Sequence, residues 1–299
     1  MQPIKTGFKA GYVAIVGKPN VGKSTLINDF LGCKLSIVTP KPQTTRKKIM
    51  GVLTKDDYQI VFYDTPGIME PKYNLQKYMV KEAYNAIEGM DVILYLAEPF
   101  ELPSDTDTEI MARLSHRNIP VILAINKVDL VEKNKLIPIL ATYHNKFPFA
   151  EILPISALTK INLDLLQSLI VKYLPEGPPF FPADYMTDYN DRFLASEIIR
   201  EKIFEFYGEE IPYSTTVEIE EYKEREKGKD FIKAVIYVER SSQKGILIGK
   251  NGEAIKRIGV LAREEMEKQV GRQVYLELVV KVMEKWRKDK NKLKKLGYG

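Results

Sequence analysis

Along the first 174 residues, compact apolar runs rich in Val and Ile alternate with stretches whose apolar positions recur at helical spacing. The runs fall at 11–17, 58–64, 91–98, 120–127 and 151–156, and 22–30, 74–88 and 106–116 read as helices between them. Runs apolar on both faces suit strands buried in a mostly parallel sheet. Strands alternating with helices predict a doubly wound α/β domain. The pattern stops at 173–189, "YLPEGPPFFPADYMTDY", where Pro175, Pro178, Pro179 and Pro182 can continue neither element. The expected division is a first domain over 1–174, a linker over 175–190 and a second domain over 191–299.

The second domain has a different order. A helix is predicted over 193–207, with Ile198, Ile199, Ile203 and Phe206 on one side. Strands follow at 215–222 and 231–239, then two helices separated by Gly-Lys-Asn-Gly, a strand at 273–282 and a basic terminal helix. Ile236 and Val238 on the second strand are expected in the core. Helix, strand, strand, helix, helix, strand is an α+β arrangement.

Composition narrows the class without naming a function. In 299 residues, 44% are hydrophobic and 28% charged, which argues against disorder. No run approaches the roughly 20 apolar residues of a membrane span, so no transmembrane segment is expected. The opening "MQPIKTGFKAGYVAIVG" is too weakly apolar for a secretory signal. The single cysteine, Cys33, cannot form an internal disulfide, which suits a cytoplasmic protein. His116 and His144 stand apart and suggest no metal cluster. The net charge of +5 is uneven: residues 175–230 hold 7 Lys/Arg against 15 Asp/Glu, a net of −8, and 231–299 hold 17 against 8, a net of +9. The basic part is a candidate surface for a polyanion, or simply a solvated face.

The chemistry starts where the first run ends. Gly17, Lys18, Pro19, Asn20, Val21, Gly22, Lys23 and Ser24, followed by Thr25, satisfy G-x-x-x-x-G-K-[ST] between a strand and a helix. Glycines there let backbone N–H groups close on phosphate oxygens, aided by the positive end of the next helix. Lys23 would reach the β and γ phosphates, and the Ser24 hydroxyl would bind Mg²⁺. Asp64, Thr65, Pro66 and Gly67 end the second run, placing Asp64 to hold Mg²⁺ through water and Gly67 to face the γ phosphate. Asn126, Lys127 and Asp129 end a later run. Asp129 can accept from the N1–H and amine of guanine, whereas adenine lacks that donor pair, a discrimination of about 10⁴-fold. Asn126 would brace the loops and Lys127 would lie over the base. Ser156, Ala157 and Leu158 follow the last run, where an Ala157 N–H would meet guanine O6. In this order, the motifs specify a site for GTP and GDP.

This set resembles the translation-factor-related GTPases, and "PKPQTTR" (40–46) is similar to their first switch. The resemblance implies that a switch threonine, Thr45 or alternatively Thr44, completes the Mg²⁺ shell. Ras-like enzymes carry a water-orienting glutamine after the D-x-x-G motif, and this chain has Ile68. Arg46 is the nearby candidate to assist. Relatives with a hydrophobic residue at that position imply slow intrinsic hydrolysis with water positioned otherwise, and Asn20 resembles an asparagine that ligates K⁺ in some of them.

The second glycine loop, Gly249-Lys250-Asn251-Gly252, lacks the GK[ST] ending. It matches the G-x-x-G loop of a KH domain, which clamps the backbone of about four nucleotides. Ile246, Ile248 and Ile255 would supply the apolar side for bases. The element order is similar to the prokaryotic, type II, KH domain. A P-loop GTPase domain followed by a KH domain resembles the bacterial KH-domain GTPases of small ribosomal subunit assembly. That resemblance implies a cytoplasmic monomer that binds single-stranded small-subunit rRNA near its 3′ end and acts on the 30S particle. The basic tail, with Val282, Trp286 and Leu293 as its packing residues, leaves peripheral contact with the inner face of the cell membrane as another reading. A constitutive RNA-binding module with GTP as a structural ligand is the remaining alternative.

Overall fold

The computed structural model describes residues 7–299. Contacts divide the chain into two units, one comprising the segment up to Ser36, Thr45–Lys72 and Gln76–Asp188, the other Ile37–Thr44, Tyr73–Leu75 and Tyr189–Gly299.

In the first unit the chain runs β1 (Lys9–Gly17), α1 (Lys23–Leu31), β2 (Ile49–Thr54), β3 (Tyr58–Asp64), α2 (Asn74–Asn85), β4 (Val92–Ala97), α3 (Asp105–Leu114), β5 (Val121–Ile125), α4 (Lys133–Lys146), β6 (Glu151–Pro154) and α5 (Leu163–Tyr173). The sheet order is β2-β3-β1-β4-β5-β6, parallel throughout except for the antiparallel β2–β3 pair. Alternate residues of β1 serve the two faces. Val13 and Ile15 join Leu26, Ile27 and Phe30 of α1 and Leu166 and Ile170 of α5, while Ala14 and Val16 join residues of α2, α3 and α4. The chain steps from β1 to β3 on one side and then to β4 on the other. The carboxyl end of β1 therefore lies at the switch point where open α/β sheets bind ligands.

Three features depart from the expectations. β2 was not anticipated, because "IMGVLT" has neither clean alternation nor a preceding turn signal. The Pro-rich segment packs as part of the first unit. The buried Gln59 carboxamide accepts from the N–H groups of Phe180 (2.7 Å) and Phe181 (3.0 Å) and donates to Phe181 O (2.9 Å). Val52 N donates to Met186 O at 2.8 Å, so this segment satisfies the open edge of β2 that would otherwise be left unpaired. The third departure is the tail, described below.

The second unit contains α6 (Asp191–Phe206), α7 (Ile211–Ser214), β7 (Thr216–Lys223), β8 (Asp230–Val238), α8 (Ser241–Ile248), α9 (Glu253–Val270), β9 (Val274–Val282) and α10 (Lys290–Lys295). Its sheet, β7-β8-β9, pairs β7 antiparallel and β9 parallel to β8. Asn190 caps α6 by accepting from Phe193 N at 2.9 Å. Ile198, Ile199 and Ile203 pack with Ile232, Ala234, Ile236 and Val238 of β8 and with Leu247 and Ile258. Phe206 is instead exposed in the last turn of α6, and the next residue, Tyr207, takes the inner place and donates to Leu247 O at 2.7 Å.

The basic tail is not one long helix. After β9 the backbone turns through Lys285 (φ 53°), and only the six residues of α10 are helical, capped by Asp289. This turn buries Trp286 completely, with its indole N–H donating to Ser214 O at 2.9 Å and its ring against Tyr298. Leu293 and Tyr298 are also buried, whereas Val282, expected to help pack the tail, is exposed. Replacing Trp286 with Ala should destabilise the second unit by about 3–5 kcal/mol, measured by urea unfolding followed by circular dichroism. A loss within experimental error would show that the tail contributes nothing to that core.

Candidate nucleotide and RNA sites

The loop Gly17–Ser24 joins β1 to α1, and Gly22 forms the left-handed entry to the helix at φ 98°. A β-carbon there would lie 2.2 Å from Asn126 Nδ2, so only glycine fits. Asn126 is buried at the end of β5, where its amide donates to Val21 O (2.8 Å) and accepts from Ala157 N (2.8 Å). One side chain thus ties the phosphate loop to the loop Ser156–Leu158. Because the Ala157 N–H already serves Asn126, it is not free for guanine O6 as expected. Ser156 is buried, its hydroxyl accepting from Thr159 N at 3.1 Å, and Leu158 is exposed. Lys127 adopts φ 66° and donates to Asn20 O at 2.8 Å, with Glu98 as its ionic partner. This stretches its stem beside the loop. Asp129 stands exposed in the short turn Val128–Leu130.

Lys23 begins α1 and is buried with its ammonium on two loop carbonyls, Gly17 O at 3.2 Å and Lys18 O at 2.8 Å. Burial lowers its pKa to about 8, against the opposing pull of Asp64 and Glu98. A buried positive charge hydrogen-bonded to backbone carbonyls is what a polyphosphate would neutralise. Thr25 lies two residues on in the same helix turn.

Ser24, Thr45 and Asp64 converge. The Ser24 hydroxyl donates to Asp64 Oδ2 at 2.7 Å and lies 3.0 Å from Thr45 Oγ1, and Thr45 Oγ1 is 3.5 Å from the same carboxylate oxygen. Thr44 turns away, its hydroxyl bonded to Lys41 O (2.8 Å) and Thr39 Oγ1 (2.9 Å). Thr45 is therefore the threonine that reaches this cluster. Asp64 is wholly buried and its Oδ1 has no hydrogen-bond partner. Burial pushes its carboxyl pKa up, despite Lys23 and the hydroxyls that bond it. Two hydroxyls and an orphaned carboxylate oxygen suit a hard divalent ion such as Mg²⁺, which takes few protein ligands and keeps its waters. Among the described residues no group of three or more His, Cys, Asp or Glu could hold a metal.

Thr65 donates to Ile15 O at 2.7 Å, Pro66 and Gly67 are buried beside Pro19, and Ile68 N donates to Gly17 O at 3.0 Å. The Ile68 side chain packs with Ala14, Val16 and Ile125 in the core, so it cannot line a water site. Arg46 is buried as well.

In the second unit Gly249 (φ 74°), Asn251 (φ 51°) and Gly252 (φ 77°) turn the chain between α8 and α9. A β-carbon on Gly249 would fall 2.6 Å from Ala254 Cβ. Gly252 starts α9, so the helix N-terminus faces the loop that carries Lys250. A pocket of about 320 Å³ opens between α9 and β9, lined by Ile255, Gly259, Val260, Leu276 and Leu278, with Lys256 and Arg263 among its basic groups. Of the three isoleucines around the loop, Ile255 lines it. Ile246 is 51% exposed and Ile248 half-buried against the core, and neither lines it. Leu276 and Leu278 were missed by sequence reasoning. Their alternation in "VYLELVV" was the available signal, for they share one face of an edge strand. Arg263 Nε is buried there without a partner.

The first unit brings together a glycine loop, a buried lysine and a cluster of two hydroxyls with a buried carboxylate at the carboxyl end of β1. These are the parts of a P-loop GTPase, joined here to a KH domain. Residues 12–127 match the family described as "50S ribosome-binding GTPase", and residues 210–287 match "KH domain". GTPase Era of Geotalea daltonii is 48% identical over 291 residues, 97% of this chain and 98% of that one, and the Geobacter metallireducens protein is 49% identical over 292 residues with the same coverage. Among solved structures, an Aquifex aeolicus Era variant bound to GDP·AlF4⁻ superposes with a TM-score of 0.94 at 46% identity, covering 98% of this chain and 100% of the other. Era in complex with MgGDPNP and nucleotides 1506–1542 of 16S ribosomal RNA gives the same score and identity, covering 98% and 99%. The chain belongs to the Era family of GTPases.

The buried lysine has a pH signature. In the nucleotide-free protein Lys23 loses its proton above about pH 8, and bound phosphates would hold that proton to higher pH. GDP affinity should therefore be level from about pH 7, where the GDP phosphates are already ionised, to about pH 8 and fall as pH rises above it, with proton uptake on binding at about pH 9. Calorimetry in EDTA, in two buffers of different ionisation enthalpy, measures the uptake. Binding with no proton taken up would overturn the assignment.

Proposed function

We propose that this protein is a GTP-driven switch that grips single-stranded small-subunit rRNA near its 3′ end and assists maturation of the 30S particle, as a cytoplasmic monomer. The carrying observation is that one chain presents both a guanine-nucleotide site and an apolar, basic KH groove, in the fold of a relative solved with MgGDPNP and 16S rRNA. The phosphate loop Gly17–Thr25 and Lys23 hold the β and γ phosphates. Ser24, Thr45 and Asp64 hold Mg²⁺, Asp129 reads guanine, and Lys127 lies over the base. Gly249, Lys250, Asn251 and Gly252 clamp the RNA backbone while Ile255, Leu276 and Leu278 receive its bases. Ile246 and Ile248 border the same loop.

Support for a switch comes from the chain path. Thr45 reaches the Ser24 and Asp64 cluster while Thr44 bonds Lys41 O and Thr39 Oγ1, so the peptide bond between them joins that cluster to the segment before it. Ordering Thr45 and Gly67 on a γ phosphate would act on that segment directly. The membrane reading has less support, since the apolar residues Trp286, Leu293 and Tyr298 are spent inside the tail's own core. No helix among the described residues is long and apolar enough to cross a membrane.

Steady-state GTP hydrolysis, with and without an oligonucleotide from the 3′ end of small-subunit rRNA, tests this. The RNA should stimulate hydrolysis, and Lys250→Asp with Asn251→Asp should abolish the stimulation and weaken RNA binding at least about tenfold. Bound RNA that leaves the rate unchanged would favour a constitutive RNA-binding module.

With Ile68 in the core, another group must complete the hydrolytic site, and Asn20 with bound K⁺ fills that role. Hydrolysis should be faster in KCl than in NaCl at matched ionic strength, and Asn20→Ala should remove the difference. Equal rates in the two salts would dismiss K⁺.

A further inference from the structure

The second residue of the phosphate loop is held by a buried carboxylate on a helix that no nucleotide motif includes. Lys18 extends from the loop to α3, where its ammonium lies 2.8 Å from Asp107 Oδ2, 3.3 Å from Ser104 Oγ and 3.3 Å from Glu101 Oε1. Asp107 is 1% exposed, and Glu101 lies out in solvent. The Asp107 carboxylate is saturated. Oδ2 accepts from Lys18, from Ser104 N (2.9 Å) and from Ser104 Oγ (2.6 Å), while Oδ1 accepts from Tyr95 Oη at 2.5 Å. Tyr95 is itself fully buried on β4 with its ring against Tyr143 and Phe149.

Part of this is ordinary helix capping. Ser104 and Asp107 form a reciprocal capping box at the start of α3. A capping box accounts for the bond from Ser104 N, paired with Asp107 N donating to Ser104 Oγ at 3.4 Å, and leaves the bonds from the Ser104 hydroxyl, Lys18 and Tyr95 unexplained. A surface lysine would gain little from such a pair. Here one partner is wholly buried, and removing the other would leave a charge uncompensated. Burial by itself would lower the Lys18 pKa, but the bond and charge of Asp107, with Glu101, raise it overall.

The consequence lies in the backbone. The carbonyl of Lys18 is one of the two oxygens that hold the Lys23 ammonium. Fixing the Lys18 side chain on α3 fixes that carbonyl, and with it the charge that meets phosphate. We propose that Asp107 is a positioning residue for the nucleotide site, acting through Lys18 to hold the phosphate loop in its binding conformation before nucleotide arrives. Holding the loop in advance spares nucleotide binding the cost of ordering it.

The test is a double-mutant cycle on the full-length protein, with Asp107→Asn, Lys18→Met and their combination, reading the Kd for fluorescent GDP and the kcat and KM of GTP hydrolysis. Each single change should weaken GDP binding about tenfold, and the combination should be no worse than either, because both remove one interaction. Lys18→Arg, which keeps a cation for Asp107, should restore binding to near the parent level. A purely structural pair would lower Tm and leave GDP affinity unchanged well below the melting range, which would overturn the proposal. So would additive losses in the combined variant. If Asp107→Asn does not fold, Lys18→Met, altered at a residue that reaches solvent, decides alone: GDP affinity within twofold of the parent would overturn the proposal.

Discussion

The nucleotide site depends on one buried amide. Asn126 spans from Val21 O to Ala157 N, so the loop after β1 and the loop after β6 are referenced to the end of β5 by two 2.8 Å bonds. Buried hydrogen bonds of this kind are modest in net energy but costly to leave half made. The arrangement therefore behaves as a unit. It also explains Gly22, since the amide occupies the space any larger residue would need. The phosphate loop and the loops after β5 and β6 are mechanically one structure, although Val21 and Asn126 lie more than a hundred positions apart.

Around that brace the protein holds charge ready for a partner. Lys23 sits on carbonyl oxygens, and Asp64 is buried beside hydroxyls with one oxygen unsatisfied. Each is unfavourable alone, and each suits a ligand of opposite charge. The KH loop solves a related problem with less burial. Gly252 of its turn has open space around it, its lysine stays in solvent, and an apolar groove with basic groups opens between α9 and β9. One site is built for a small compact polyanion and the other for an extended one.

Hydrolysis sets a further constraint. The loop that follows β3 is tied to β1 by Thr65 and Ile68 N, and the Ile68 side chain is consumed by the core. An enzyme built this way gives up the side chain that Ras-like proteins use on water. Its hydrolytic geometry must be completed from outside that position.

Much of this was determined by the sequence alone. Buried parallel strands are continuous apolar runs, so β1, β3, β4, β5 and β6 were visible, and motifs at their ends mark where ligands go. The KH order was legible because the helical and strand periods switch cleanly around "GKNG". Other features depended on distant partners. β2 is a strand because β3 on one side and Met186 on the other supply its hydrogen bonds. The Pro-rich segment packs on the first unit because Gln59 is buried where it can hold it. Thr45 rather than Thr44 meets Ser24 and Asp64 because the backbone turns between two adjacent, chemically identical residues. Leu276 and Leu278 line the groove because β9 is an edge strand. Periodicity and motif are properties of neighbouring residues and can be read in order; edge position, the direction of one hydroxyl and the destination of a lysine such as Lys18 are set by what the rest of the chain brings alongside.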